Sequence, residues 1–174
     1  MRLDTLDGCG LAIGGWPRFQ YDASGGGGHA HRQAASAGAS RLVFDPQTLR
    51  IPPLNRATTR LLGLPLPPGL TIEVLPERLE GEQAATGALQ LLFQARFRFR
   101  AGSWYRAPDL LVNSLLSTGA VRSRRHRLHG QPPDATGEAL LVGVAVVAPS
   151  GDAWLDRFLG LPDEALAVLR CRIS

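Results

Sequence analysis

The chain has 174 residues, 44% hydrophobic and 20% charged, which is enough to bury a core in one domain and excludes wholesale disorder. All nineteen basic residues are arginine, so Schiff-base lysine chemistry and a Walker lysine are excluded. The net charge of +4 conceals an asymmetry: Gly87 to Gly130 holds eight arginines against one acid, Asp109, and is +7, while the remainder is −3.

The opening, MRLDTLDGCGLAIGG, carries two aspartates before a short apolar patch and does not read as a secretory leader. No apolar run approaches the ~20 residues of a membrane span. A cytoplasmic protein is therefore expected, peripheral to a membrane at most. Cys9 and Cys171 read as reduced thiols, although they could pair if the termini meet. Leu11 to Tyr21 is expected as a first strand, interrupted at Pro17. The stretch YDASGGGGHAHRQAASAGAS follows. It is Gly, Ala and Ser with almost no apolar periodicity, so residues 22–40 are expected to form a flexible loop within a single domain, 1–174.

Arg41 to Phe44 is a short strand closed by the turn pair Asp45-Pro46, and Leu49 to Leu54 is extended up to Pro52-Pro53. Ala57 to Leu62 suits one helical turn, and PLPPG, Pro65 to Gly69, opposes regular structure. Leu70 to Leu75 alternates and is expected to end at Pro76. From Leu89 to Ala101 apolar residues take every second place, with Gln90, Leu92, Gln94, Arg96, Arg98 and Arg100 between them. Period two over so long a run is a half-buried strand. With a turn near residues 83–86, partners across the hairpin sum to about 169. Ile72 is then opposite Phe97, Val74 opposite Ala95 and Glu73 opposite Arg96.

Asp109 to Leu116 suits a strand or a short helix, and Arg122 to His129 is basic. Ala139 to Ala148 is apolar on both faces and β-branched, hence a central strand. Asp152 is placed to cap a short helix bearing Trp154, Leu155, Phe158 and Leu159, which Gly160 ends. A second helical or mixed stretch is expected from Glu164 to Cys171. Together these elements predict an α+β fold. Its core is a curved, mainly antiparallel, half-open barrel-like sheet of five to eight strands, with one or two C-terminal helices.

The candidate chemistry is sparse. The glycine run matches neither a P-loop nor a dinucleotide fingerprint, and a run of glycines populates many turns. His29 and His31 share a side if extended, with Asp22 or Cys9 as further donors, but no full ligand set stands beside them. His126 and His129 lie within an arginine run that repels a cation. No metal and no cofactor is expected. No nucleophile elbow appears, and Glu73, Glu77, Glu80 and Glu82 read as solvated partners of arginines more than as acid and base. Catalysis is not indicated, though a site assembled in three dimensions is beyond a sequence reading.

The basic region remains. Arg96, Arg98 and Arg100 share one strand face at about 6.5 to 7 Å intervals. Arg122, Arg124, Arg125 and Arg127 are placed to extend it, and Trp104 and Tyr105 offer stacking surfaces at its end. Such a face suits an acidic protein surface or anionic lipid head groups, and less well a nucleic acid. The leading expectation is a non-enzymatic binding or assembly accessory protein that docks an anionic partner. The second is a carrier of a lipid-like or pigment-like molecule inside the sheet; the third is an enzyme whose site carries no motif.

The pieces GLTIEVLPERLEG, TGALQLLFQARFRF, YRAPDLLV and LVGVAVVAPSGDAWLDRFLGLPDEALAVLRC together resemble an uncharacterised conserved family of cyanobacterial proteins with plastid relatives. The resemblance covers about two thirds of the chain, from Phe44 onward. It implies an intracellular accessory factor of a photosynthetic cell, near thylakoid membranes, and supplies no catalytic residues.

Overall fold

The computed structural model describes residues 1–174, and 56% of them lie in strands. In chain order the first half holds β1 (Arg2–Thr5), β2 (Cys9–Ile13), β3 (Phe19–Tyr21), β4 (Gly27–Ala34), β5 (Ser40–Phe44), β6 (Thr59–Leu61) and β7 (Leu64–Pro65). The centre is built by β8 (Leu70–Gln83), β9 (Leu89–Ala101), β10 (Tyr105–Arg106), β11 (Leu110–Ser117), β12 (Ala120–Arg122) and β13 (Arg127–His129). The chain closes with β14 (Glu138–Val147), the helix α1 (Ala153–Leu159) and β15 (Asp163–Ile173).

The alternation in β9 does what its period requires. Leu89, Leu91, Ala95 and Phe99 are buried, while Arg96 is exposed and Arg98 and Arg100 are partly so. β8 pairs β9 over its whole length, so it does not stop at Pro76 but absorbs that residue in a bulge between Pro76 and Arg78. A proline that cannot donate to the ladder is tolerated at such an irregularity. The turn lies at residues 84–88, and the register is shifted by two from the sequence expectation. Ile72 is opposite Phe99, Val74 opposite Phe97, and Glu73 opposite Arg98. An even shift leaves the side chains from Leu70 to Pro76 on their expected faces, and past the bulge the faces of β8 exchange.

Neighbouring strands run β1–β4–β5–β8–β9–β11–β14–β15, all antiparallel, and β1 pairs β15 as well as β4. The pairings thus lead back to β1. One side is loose, because β11 and β14 share a single bridge, Ser117 with Val142. The result is a strongly curved sheet rather than a regular closed barrel. β15 pairs β2 through Ala165–Val168 and β1 through Cys171–Ile173, and β2 leads outward to β3, β6 and β7. Two main core clusters fill the concave side. One gathers Tyr21, Leu54, Ile72, Phe99, Leu155 and Leu159; the other gathers Leu3, Leu42, Phe44, Leu89, Leu91 and Leu141. The β12–β13 hairpin packs on the outside, with Val121 and Leu128 against Val142, Leu166 and Val168.

Five expectations need correction. The main sheet has 13 strands, not five to eight. The stretch 22–40 is not one loop: Gly27–Ala34 is a strand, hydrogen-bonded to β1 on one side and β5 on the other. Small residues are required there, because a Cβ on Gly27 would fall 2.0 Å from the Leu3 carbonyl oxygen. Leu11 to Tyr21 is two strands, β2 and β3, around a turn. Residues 57–62 make a turn and β6, not a helical turn. Glu164 to Cys171 is the heart of β15, so there is one helix. In β15 pairing with both β14 and the N-terminal strands outweighs local helix preference.

The helix forms as its sequence dictates. The Asp152 carboxylate accepts from the Leu155 amide at 2.8 Å, and Gly160 ends it in the left-handed conformation at φ 72°. Leu155 and Leu159 enter the core, whereas Trp154 and Phe158 remain exposed. Where β14 meets β11, Gly143 allows close approach: a Cβ there would lie 2.5 Å from Ser114 Oγ and 2.8 Å from the Leu115 oxygen. Gly143→Val should therefore force the loose seam apart and destabilise by roughly 1–3 kcal/mol, the usual cost of overpacking. Chemical denaturation of the variant against the parent checks this.

Candidate functional site

The arginines singled out from the sequence fall into two groups on the outer surface. Arg96, Arg98 and Arg100 line β9, while Arg122, Arg124, Arg125 and Arg127 belong to the β12–β13 hairpin, which lies over β14 and β15. β11 and β14 stand between β9 and β15 in the sheet. The two groups therefore do not continue one strand face.

The β9 arginines are met by carboxylates from both neighbouring sides. Arg96 pairs with Glu77. Arg98 donates through Nε and Nη2 to the two oxygens of Asp109, at 2.9 and 3.0 Å, and has Glu73 at 3.6 Å. Arg100 reaches Glu73 at 3.4 Å. Three guanidinium groups thus face three carboxylates, so the charge of the β9 arginines is balanced in space. The cause is the hairpin register, which sets Glu73 opposite Arg98, and the start of β11, which brings Asp109 alongside. The fork of Arg98 on Asp109 holds that carboxyl below its ordinary value.

In the hairpin, Arg124 and Arg125 reach Asp163 at 3.4 and 2.9 Å. Their backbone amides and the Ser123 hydroxyl donate to Glu164, and the Ser123 bond is the largest cause that depresses the Glu164 carboxyl. These contacts pin the hairpin to the start of β15. Arg122 and Arg127 have no carboxylate within 4.0 Å. Trp104 and Tyr105 sit at the turn from β9 to β10, with Trp104 exposed. His29 and His31 are exposed on the outer side of β4, where they alternate with buried Gly28 and Ala30.

The concave side offers a different feature. A cavity of about 90 Å³ lies where the two core clusters meet. Its walls include Leu3, Tyr21, Val74, Leu79, Phe93 and Phe97. Phe93 packs against both clusters. Polar groups on the walls are turned into the protein. Tyr21 donates its hydroxyl to the Pro52 carbonyl, Thr5 donates to the Ala23 carbonyl at 2.5 Å, and the Cys9 thiol donates to the Leu6 carbonyl at 3.2 Å. Burial pushes the Tyr21 and Cys9 groups up from their ordinary values, so both remain neutral. Cys171 is likewise a buried free thiol, pushed up to about 12 by burial. Arg50, the charged residue at the wall, donates its guanidinium to the Gln47 and Leu49 carbonyls, and the rest of the lining is mostly apolar.

Reading the sequence set Val74 and Phe97 in apolar pairs of the hairpin but assigned no residue of this wall to a binding site. Leu3 and Ala23 lie in regions without a visible strand pattern, and β4 was hidden by its glycines. The usable signal was the alternation of small and polar residues from Gly28 to His31. Comparisons with protein-family models, with characterised proteins and with solved structures find no match to this chain.

The Arg98–Asp109 pair has a definite pH signature. The folded-state value of Asp109 is depressed, so its stabilisation is complete above the unfolded value of about 3.9 and is lost as pH falls through the folded value. Asp109→Asn should lower the melting temperature at pH 7 and flatten its fall between about pH 5 and pH 2. Thermal melts of both proteins across that range measure the difference.

Proposed function

We propose that this protein is a non-enzymatic binding protein that holds a small apolar molecule, or the apolar end of a larger one, inside its curved sheet. The observation that carries the reading is the cavity between the two core clusters, walled by aliphatic and aromatic side chains with every neighbouring hydroxyl and thiol already bonded. Close-packed interiors leave few voids larger than a water molecule. An apolar void stays dry and accepts an apolar guest, as a ~150 Å³ engineered cavity accepts benzene. At about 90 Å³ the space suits a short hydrocarbon segment or part of one ring, not a whole pigment or lipid.

Docking of an anionic protein through the arginines is a second reading, favoured by the free Arg122 and Arg127 on the outer hairpin. It is weaker, because the β9 arginines that would lead it already face Glu73, Glu77 and Asp109. A salt-sensitive pulldown that is lost in Arg122→Gln/Arg127→Gln would promote it over the carrier.

The carrier reading is tested by filling the chamber. Val74 is a wall residue opposite Phe97, and Val74→Phe places a ring in the space. Native mass spectrometry of the parent protein should show an apolar adduct, or a short alkyl or aromatic probe should raise its melting temperature. At a probe concentration 100 times Kd the gain is about 2.7 kcal/mol, or roughly 5–10 °C for a chain of this size. Val74→Phe should remain folded and lose both signals. A parent protein that shows neither adduct nor shift, or a variant that keeps them, removes the carrier reading.

A further inference from the structure

All three tryptophans of this chain stand in one aromatic row at one end of the sheet. Trp16 meets Phe158 with ring centres 5.0 Å apart, Phe158 stacks on Trp154 at 5.1 Å, Trp154 meets Tyr105 at 5.1 Å, and Tyr105 meets Trp104 at 6.1 Å. The row joins the β2–β3 turn, helix α1 and the β9–β10 turn. Trp104 is 82% exposed, and Trp154 and Phe158 are exposed too. A core would have buried these rings; here the helix sends only Leu155 and Leu159 inward.

The β6–β7 hairpin adds an apolar tip at the same end. Phe19 of β3 is opposite Leu61, so β6 runs toward the level of the Trp16 turn and reverses there at Leu62-Gly63. Leu62 and Leu64 are 77% and 70% exposed. Leu62 adopts φ 52° and Gly63 φ 80°. A two-residue turn with both φ values positive favours Asn-Gly, and a bulky residue at its first position is strained. The chain therefore holds a leucine in a costly conformation at a place where the side chain touches mostly solvent. Such strain in an exposed loop points to a use for that side chain.

Charge around this end is positive. Arg60, Arg106 and Arg157 are exposed and have no carboxylate within 4.0 Å. Two acids beside the row keep their negative charge against these three arginines, Asp152 as the helix cap and Asp156 accepting from Ser150 and Gly151, while Asp163 is paired with Arg124 and Arg125 and Asp109 with Arg98. No helix of the molecule is long and apolar enough to cross a membrane.

We infer that this end docks on the surface of an anionic lipid bilayer, with Leu62, Leu64 and Trp104 entering the interface and Arg60, Arg106 and Arg157 facing the head groups. Tryptophan and tyrosine partition to the level of the head groups because their rings are apolar with one polar edge. Arginines next to them gain from the negative surface potential. The inference rests on surface residues alone and stands or falls separately from the cavity.

Because every tryptophan lies in the row, intrinsic fluorescence reads the docking directly. Vesicles of phosphatidylcholine mixed with phosphatidylglycerol should shift the emission to the blue, and brominated acyl chains should quench it. Vesicles of phosphatidylcholine alone should do so far less. Leu62→Asn/Leu64→Ser/Trp104→Ser, in which Asn suits the positive φ, should keep the parent melting curve and weaken vesicle partition about tenfold or more. Arg60→Gln/Arg106→Gln/Arg157→Gln should lose the preference for the anionic vesicles. Parent protein that shows neither shift nor quench on the mixed vesicles overturns the inference, whatever the variants do. So does sedimentation showing a dimer that the Leu62/Leu64/Trp104 variant dissolves, since the row would then be a contact between two copies of this chain.

Discussion

The pairing of β8 with β9 is the contact on which the rest of the molecule depends. It is the longest ladder in the sheet, running from Leu70 with Ala101 to Gln83 with Leu89. Its inner face carries Leu79, Val74 and Ile72 against Phe93, Phe97 and Phe99, so one hairpin reaches both core clusters and supplies walls to the cavity between them. β5 adds to one edge and β11 to the other. The bulge at Pro76 bends the pair, and a bent pair of this length turns the strands that follow toward one another. Curvature is therefore built into the first contact and need not be imposed by the termini.

That same ladder governs the electrostatics. A strand with three arginines on its outer face would repel itself if its neighbours were neutral. Glu73 and Glu77 from β8 and Asp109 beside β11 arrive at the matching positions. The basic stretch is thus a feature of the one-dimensional chain more than of the folded surface. Of the arginines in that stretch, Arg122 and Arg127 on the outer hairpin and Arg106 near the aromatic row are left without a carboxylate.

Much of this architecture was legible in the sequence. Period two announced β9, continuous β-branched residues announced β14, and Asp152 with Gly160 marked both ends of the helix. Faces from Leu70 to Pro76 were right even where register was not, because a shift of two preserves the alternation. The misreadings share a cause. β4 is a Gly-, His- and Ala-rich strand whose order comes from pairing with Arg2–Asp4, distant in the chain, and with Ser40–Phe44 just after it. β15 carries Glu, Ala, Leu and Arg, which suit a helix locally, yet ten of its residues are paired with β14. Local preference is worth tenths of a kcal/mol per residue and yields to such pairing.

By itself the sequence determined the class of fold, the inward and outward faces of the long strands, the helix caps and the exclusion of lysine chemistry. Each depends on residues close together along the chain, where periodicity and capping act. Only the tertiary structure decided which charges survive as free charges, where a void remains in the core and which apolar side chains are left in solvent. Those depend on register between strands and on the juxtaposition of turns far apart in the chain. Trp16, Trp104 and Trp154 are unremarkable in isolation, and they become one surface because three separate connections end at the same end of the sheet.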